Sequence, residues 1–323
     1  MTNLLSTSLF TATLILLAIG CDQPAGKKQK ETESINGKSA KSGGFQYVTL
    51  LGDSVFAPIN PSGKAVAKFE EAKKSYETDR DSAELLIWYG RRAAYIGKYK
   101  TAIDLFTEGI GKYPEDPRFY RHRGHRFITT RRFSAAIADF EKASRLIAGK
   151  EDRIEPDGIP NRLNTPVSTL HSNIWYHLGL AYYLENDLKN ALRSYRACEK
   201  VSTNDDMIVS TAHWLYMTLR KLDKTEEAQN ILEDIDQNMT IIENDSYHRL
   251  CLFYKGMLSE EEINSTEGGD PSGDAVLYGL ANWHLYNGNR NIAKDYYKKI
   301  LNTSNKASFG YIAAESEYKR EFK

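Results

Sequence analysis

Apolar residues recur along most of the chain at the spacing of packed helices. Ala65, Ala67, Phe69, Ala72 and Tyr76 predict a helix over 64–77, and Leu250, Phe253 and Tyr254 share one face of a helix over 247–258. A second, longer period lies above this one. Gly90 and Gly124 are 34 residues apart, and so are Ala102 and Ala136, and Phe106 and Phe140. A third unit repeats the arrangement with Trp175, Leu178, Gly179 and Tyr182, followed by Ala191 and Tyr195. The small residues let two helices approach closely, and the large ones fill the space around them.

The same template divides the chain at about 83–116, 117–148, 172–205, 209–239, 243–270 and 274–302. Unit four carries Tyr216 where the central Gly is expected, and 243–270 is degenerate. A solenoid covers its ends; the 64–77 helix opens the array over 64–302, and 303–323 supplies a closing helix. Residues 45–63 alternate weakly at Tyr47, Thr49 and Leu51 before two prolines, and are expected to lie as an extended strap across the first helices and not as a sheet. The stretch 149–172 breaks the period. Its Glu155-Pro156-Asp157-Gly158 turn and further prolines predict a flap along one edge.

The run Trp175-x2-Leu178-Gly179-x2-Tyr182, then Ala191-x3-Tyr195, resembles the tetratricopeptide repeat. The resemblance implies an all-α, right-handed solenoid of antiparallel helix pairs. It also implies a concave groove, lined by the first helix of each pair, that receives a protein or peptide. Carried over by register, the groove residues are Arg91 and Tyr95 in unit one, and Arg118, Arg121, His122 and His125 in unit two. Unit three gives Tyr176, His177 and Tyr183; unit four gives His213, Trp214, Met217, Arg220 and Lys221; unit five gives Asn282 and Tyr286. The Arg-His block followed by a Pro-rich insert is similar to a subgroup of bacterial tetratricopeptide proteins, which adds no activity.

Arg121-His122-Arg123-Gly124-His125-Arg126 is the densest cationic stretch. Guanidinium forks bind carboxylate or phosphate in a bidentate way. Two readings therefore stand: the stripe takes an anionic ligand, or its arginines pair with Glu and Asp on adjacent helices. An alternative function is a small-molecule or glycan receptor, in which Tyr176, Tyr183 and Trp214 stack on sugar rings.

The N-terminus reads as an address. Residues 1–20 are uncharged, with a short apolar core too brief for the roughly 20 residues of a spanning helix. Leu17-Ala18-Ile19-Gly20-Cys21 resembles a bacterial lipobox, with Ala18 where Leu is commonest and no Lys or Arg before it. That resemblance implies cleavage before Cys21, lipid on its thiol, and a place in the cell envelope with inner and outer membrane both open. Residues 21–44, rich in Lys, Ser and Gly, read as a flexible tether.

Composition narrows the function. Lys plus Arg and Asp plus Glu are 43 each, so the chain is formally neutral, which argues against a nucleic-acid binder. Three cysteines are too few for a disulfide framework. Phosphate loop, nucleophile elbow, CxxC and HExxH motifs are all missing. His122 and His125 form at most half a metal site, and flanking arginines repel a cation. The expectation is a non-catalytic scaffold without cofactor or metal; no pattern names its partner or its oligomeric state.

Overall fold

A computed structural model describes residues 43–263 and 271–323. The expected leader, Cys21 and the tether up to residue 42 lie outside the described residues, as does the Gly268-Gly269-Asp270 turn.

A short hairpin, β1 (Phe45–Val48) and β2 (Ser54–Phe56), precedes fourteen helices among the described residues. The helices are α1 (Gly63–Thr78), α2 (Ala83–Tyr95), α3 (Tyr99–Lys112), α4 (Pro117–Thr129), α5 (Phe133–Ile147), α6 (Leu170–Leu184) and α7 (Leu188–Glu199). They continue as α8 (Asp205–Lys221), α9 (Thr225–Asn230), α10 (Asp245–Tyr254), α11 (Glu260–Ile263), α12 (Pro271–Tyr286), α13 (Arg290–Leu301) and α14 (Phe309–Phe322). The pairs α2/α3, α4/α5, α6/α7, α8/α9 and α12/α13 are the five units, with α10/α11 as the degenerate one. The fold is an all-α tetratricopeptide-repeat solenoid with an extended segment at its start.

Local chemistry sets the helix boundaries. Ser82, Asp116, Asn204 and Ser308 each accept a first-turn backbone N–H, and Thr169 and Ser172 form a reciprocal cap on α6. The turn between the two helices of each unit passes through a left-handed residue: Gly97, Arg131, Asn186, Asp223 and Gly288 in order. Arg131 is the odd member, because neither glycine's freedom nor a short polar side chain favours it there.

The repeat's small residue is a packing requirement. A Cβ on Gly90, Gly124 or Gly179 would lie within 2.5–2.9 Å of the ring sixteen residues on, Phe106, Phe140 or Tyr195. Tyr195 is itself fixed between Trp214 and Tyr176. Gly179→Ala is therefore expected to cost about 1–3 kcal/mol through overpacking, seen as a lower urea midpoint; an unchanged midpoint would show that the ring has room to move. Unit four solves the same problem differently. Tyr216 takes the glycine's place, its ring partner shrinks to Leu232, and the Tyr216 ring stacks on Tyr254 at 4.3 Å.

One expectation needs correction, and two elements go beyond what the sequence states. The strap is in place, but its residues pair as an antiparallel hairpin, with Phe45 opposite Phe56 and Val48 opposite Ser54. The turn Asp53 N to Thr49 Oγ1, 3.0 Å, folds it back on itself. The second helix of unit four is short, Thr225–Asn230, and beyond it Lys255 Nζ takes the Glu233 and Ile235 carbonyls at 2.8 and 2.7 Å. The C-terminal helix does more than close the last unit. It packs on α12 and α13, then reaches α6 and the ends of α4 and α8. Gly310 permits the approach, since a Cβ there would meet the Asp274 backbone at 2.5 Å.

Among the described residues, no helix is long and apolar enough to cross a membrane.

Candidate binding face

Two of the chain's own segments cover the first-helix face, and they divide it. Over units three to five the cover is α14. Phe309 meets the rings of His125 and His177 at 5.2 and 5.5 Å. Lys221 Nζ pairs with Glu317 of α14, and Arg320 Nη2 donates to the Leu184 carbonyl at 3.2 Å. At the edge of this cover, Arg131 Nε meets Glu315 at 2.8 Å, with both side chains almost wholly buried. Arg131 also donates to the hydroxyl of Tyr47 on β1, 3.2 Å, so hairpin, unit two and terminal helix share one seam.

This cover decides the fate of the aromatic candidates. Tyr183 and Trp214 are each 1 % exposed. The Trp214 indole N–H donates to Tyr176 Oη at 2.6 Å, and Tyr183 Oη accepts from Tyr278 and Asn282 at 2.9 and 2.6 Å. His213 is stacked between Tyr247 and Tyr254, and Asn282 is fully buried. Arg220 turns along the surface to Asn287, over the Tyr286 ring. Only Tyr176 of the sugar-stacking set borders open space, a cleft of about 240 Å³ that it shares with Tyr247, Phe309 and Asn173.

Over units one and two the cover is the insert. Ile154 bridges to Thr169, and Glu155 N donates to the Ser168 carbonyl at 3.0 Å, so the insert closes on itself before α6 begins. Its turn then docks on arginines: Arg91 Nη2 donates to Pro156 O at 2.8 Å, and Arg92 Nη1 to Gly158 O at 2.7 Å. Glu155 lies 3.0 Å from Arg121 Nε and 3.7 Å from His122 Nε2. The insert is thus a flap, as the sequence implies, and it holds its carboxylate against the cationic stripe.

The histidines in this stripe are neutral at pH 7. Burial, then the surrounding arginines, holds His122 well below the usual imidazole range; burial and Arg126 do the same to His125. His122 Nδ1 lies 3.2 Å from Arg121 Nη1. A guanidinium only donates, so Nδ1 accepts and the proton sits on Nε2, toward Glu155.

The arginines divide into two groups. Arg118 is neutralised by Asp116 and Glu84 at 2.6 and 2.5 Å, and Arg123 by Asp139 at 2.7 Å. Among the described residues, Arg91 and Arg126 have no carboxylate within 4.0 Å. They line a recess of about 110 Å³ with Tyr95, Phe106, Arg121, His122 and His125. Arg121, His122 and His125 meet at this recess with Arg91, and Arg118 lines a second cleft beside it with Arg91, His122 and Glu155.

Sequence reasoning named Arg126 only within the basic run and Glu155 only within the turn, and did not single out Glu315 or Glu317. The signal for Arg126 is its place four residues after His122, on the same helix face. The acids of α14 carry no repeat register, and only the folded chain brings them to Arg131 and Lys221.

The two described cysteines, Cys198 and Cys251, are buried. Burial pushes the Cys198 thiol up to about 11 and that of Cys251 higher still. Among the described residues, no three His, Cys, Asp or Glu side chains are grouped to hold a metal ion.

Residues 172–205, helices α6 and α7, match the family model described as a tetratricopeptide repeat. The chain is 33% identical over 69 residues to serine/threonine-protein phosphatase T of Aspergillus oryzae, a stretch covering 21% of this chain and 14% of that protein. It spans only that small part of the curated relative it matches. Among solved structures, it is similar to a tetratricopeptide repeat protein from Parabacteroides merdae, with 14% identity, 79% of this chain and 93% of that one covered, and a TM-score of 0.46. It is also similar to YrrB, described as a TPR protein with an unusual peptide-binding site, with 15% identity, 76% and 98% covered, and a TM-score of 0.42. Helices α6 and α7 are thus a tetratricopeptide repeat, and the helix pairs stacked before and after them extend it into a solenoid of that kind.

Proposed function

We propose that the chain is a non-catalytic adaptor that holds a protein or peptide against the first helices of units one and two. We place it at a bacterial envelope membrane, through lipid on Cys21. One observation carries the binding face: α14 covers units three to five, whereas the Tyr95–Arg126 recess over units one and two stays open between the insert and Phe309. Tyr95 is 38 % exposed at its rim and offers an amphipathic ring of the kind that anchors interfaces. The Leu17–Cys21 motif supports the address.

The test is site-specific photocrosslinking in native envelopes, with a benzophenone side chain at position 95 or at position 292. Ile292 is exposed on α13, away from this face. A discrete crosslinked partner from position 95, missing from position 292, is the expected result. No adduct, or the same adducts from both, would remove the binding-face reading. Cys21→Ser is expected to move the chain from the membrane fraction to the soluble one; retention would remove the lipid anchor.

A further inference from the structure

We propose that the recess between α2 and α4 is a binding site for a single oxyanion, a carboxylate or a phosphate group, held by Arg91, Arg121 and Arg126. The inference names the chemical group that the adaptor reading leaves open, and it rests on that reading for the face involved.

The argument begins with charge. Three guanidiniums line one small cavity. Arg91 and Arg121 are 9 % and 8 % exposed, so water screens them poorly. Glu155 is the sole carboxylate within 4.0 Å of any of the three among the described residues. Asp157 is the next, acting on Arg91 from further away on the insert. Neither histidine adds charge, as shown above. The recess is left with an excess of positive charge that the fold does not cancel.

This is not how the same helix treats its other arginines. Arg118 and Arg123 flank the recess on α4, and each has an aspartate within 2.7 Å. Arg91 and Arg126 take a carbonyl and aromatic faces instead: Arg91 stacks on Trp88 and Arg126 lies over Tyr99.

Donors converge on the same space. Arg121 lines it with one edge of its guanidinium held by Glu155, 3.0 Å from Nε, and with Nη1 3.2 Å from His122 Nδ1. Tyr95 Oη accepts from Arg91 at 3.5 Å, which leaves its own proton to donate. The recess, of about 110 Å³, has room for one small oxyanion such as a carboxylate or a phosphate. Glu155 holds Arg121 and His122 in place from the other side, so the site is formed before the anion arrives.

The test uses the purified full-length chain and two probes, sodium phosphate and sodium acetate, against sodium chloride at equal ionic strength. Binding is read by calorimetry. Phosphate or acetate is expected to bind the wild type. Arg126→Gln and Arg91→Gln should each weaken binding at least about tenfold, while Arg145→Gln, on the exposed face of α5, should change it less than about twofold. Paired peptides of one sequence, ending in a free carboxylate or an amide, distinguish the source. Preference for the free end assigns a peptide carboxylate, and phosphate binding alone assigns a phosphate group. Failure of both anions to bind, or equal binding by wild type and Arg126→Gln, overturns the proposal. A partner that still crosslinks from position 95 in Arg126→Gln would leave the adaptor standing without the anion site. Anion binding without any crosslinked partner would leave the reverse.

Discussion

Glu315→Ala is expected to lower the free energy of unfolding by about 3–5 kcal/mol, the cost of leaving a buried charge without its partner. Arg131 Nε sits 2.8 Å from the Glu315 carboxylate, and the two side chains are 2 % and 0 % exposed. Without Glu315 the guanidinium keeps the Thr129 carbonyl at 2.6 Å, the Tyr47 phenol and the Tyr47 and Tyr311 ring faces. Leu51 N, 3.4 Å from the other carboxylate oxygen, loses its acceptor as well. The loss concentrates on the seam, so hydrogen exchange of amides in β1, β2 and α14 should quicken at least about 100-fold, each 1.4 kcal/mol being a factor of ten. Pairing the change with Arg131→Met should recover most of the stability, because an apolar pair removes both charges from the interior. A loss under about 1 kcal/mol would show that the ion pair does not hold the terminal helix on the repeat face. Arg131 also sits at a left-handed turn position that favours glycine. The backbone cost there is offset only if the side chain reaches Glu315, so the local and long-range choices stand or fall together.

The repeat array was legible because its period is a packing rule. Glycine at one place and a large ring sixteen residues on is a steric contract between two helices, and it reads the same in Gly90, Gly124 and Gly179. Unit four hid it by placing the ring at the glycine position, Tyr216, and a smaller Leu232 sixteen residues on, with the Tyr216 ring stacked on Tyr254 instead. What could not be read was where non-repeating segments go. Residues 309–322 have the pattern of a closing helix, and nothing local states that Glu315 and Glu317 turn back onto units two and four. Register puts Tyr183, Trp214 and Asn282 on the groove side, but a groove-side residue is a ligand contact only if the groove is empty. Here α14 and neighbouring rings occupy that space. The basic stretch shows the same limit at shorter range. Arg118, Arg121 and Arg126 are alike in sequence, and only the acids that fold beside them separate the paired one from those at the recess.

A second large effect is expected from mild acid: the protein should lose about 4 kcal/mol or more of stability between pH 7 and pH 5. Burial holds His177 at about 3, with Arg121 adding repulsion, and burial holds His213 at about 3. In the unfolded chain both return to about 6.5. As pH falls below 6.5 the unfolded state takes up protons that the folded state refuses, so stability falls with pH and levels only near the folded value. At pH 5 each histidine has lost about 2 kcal/mol, 1.5 pH units at about 1.36 kcal/mol each. His122 and His125 are depressed in the same direction and add to the fall. Ordinary carboxylates titrate near 4, so the window from pH 6.5 to 5 belongs to the histidines. His177 Nδ1 lies 2.6 Å from the Asn173 carbonyl and must donate to it, which a glutamine amide can also do. His177→Gln should therefore keep most of the stability at pH 7 and flatten the pH 7 to pH 5 difference by about 2 kcal/mol. Urea midpoints at the two pH values measure both quantities. A wild-type difference under about 1 kcal/mol would mean that these imidazoles are reached by protons without unfolding. The first-helix face of units two to four would then be more open than the α14 cover allows.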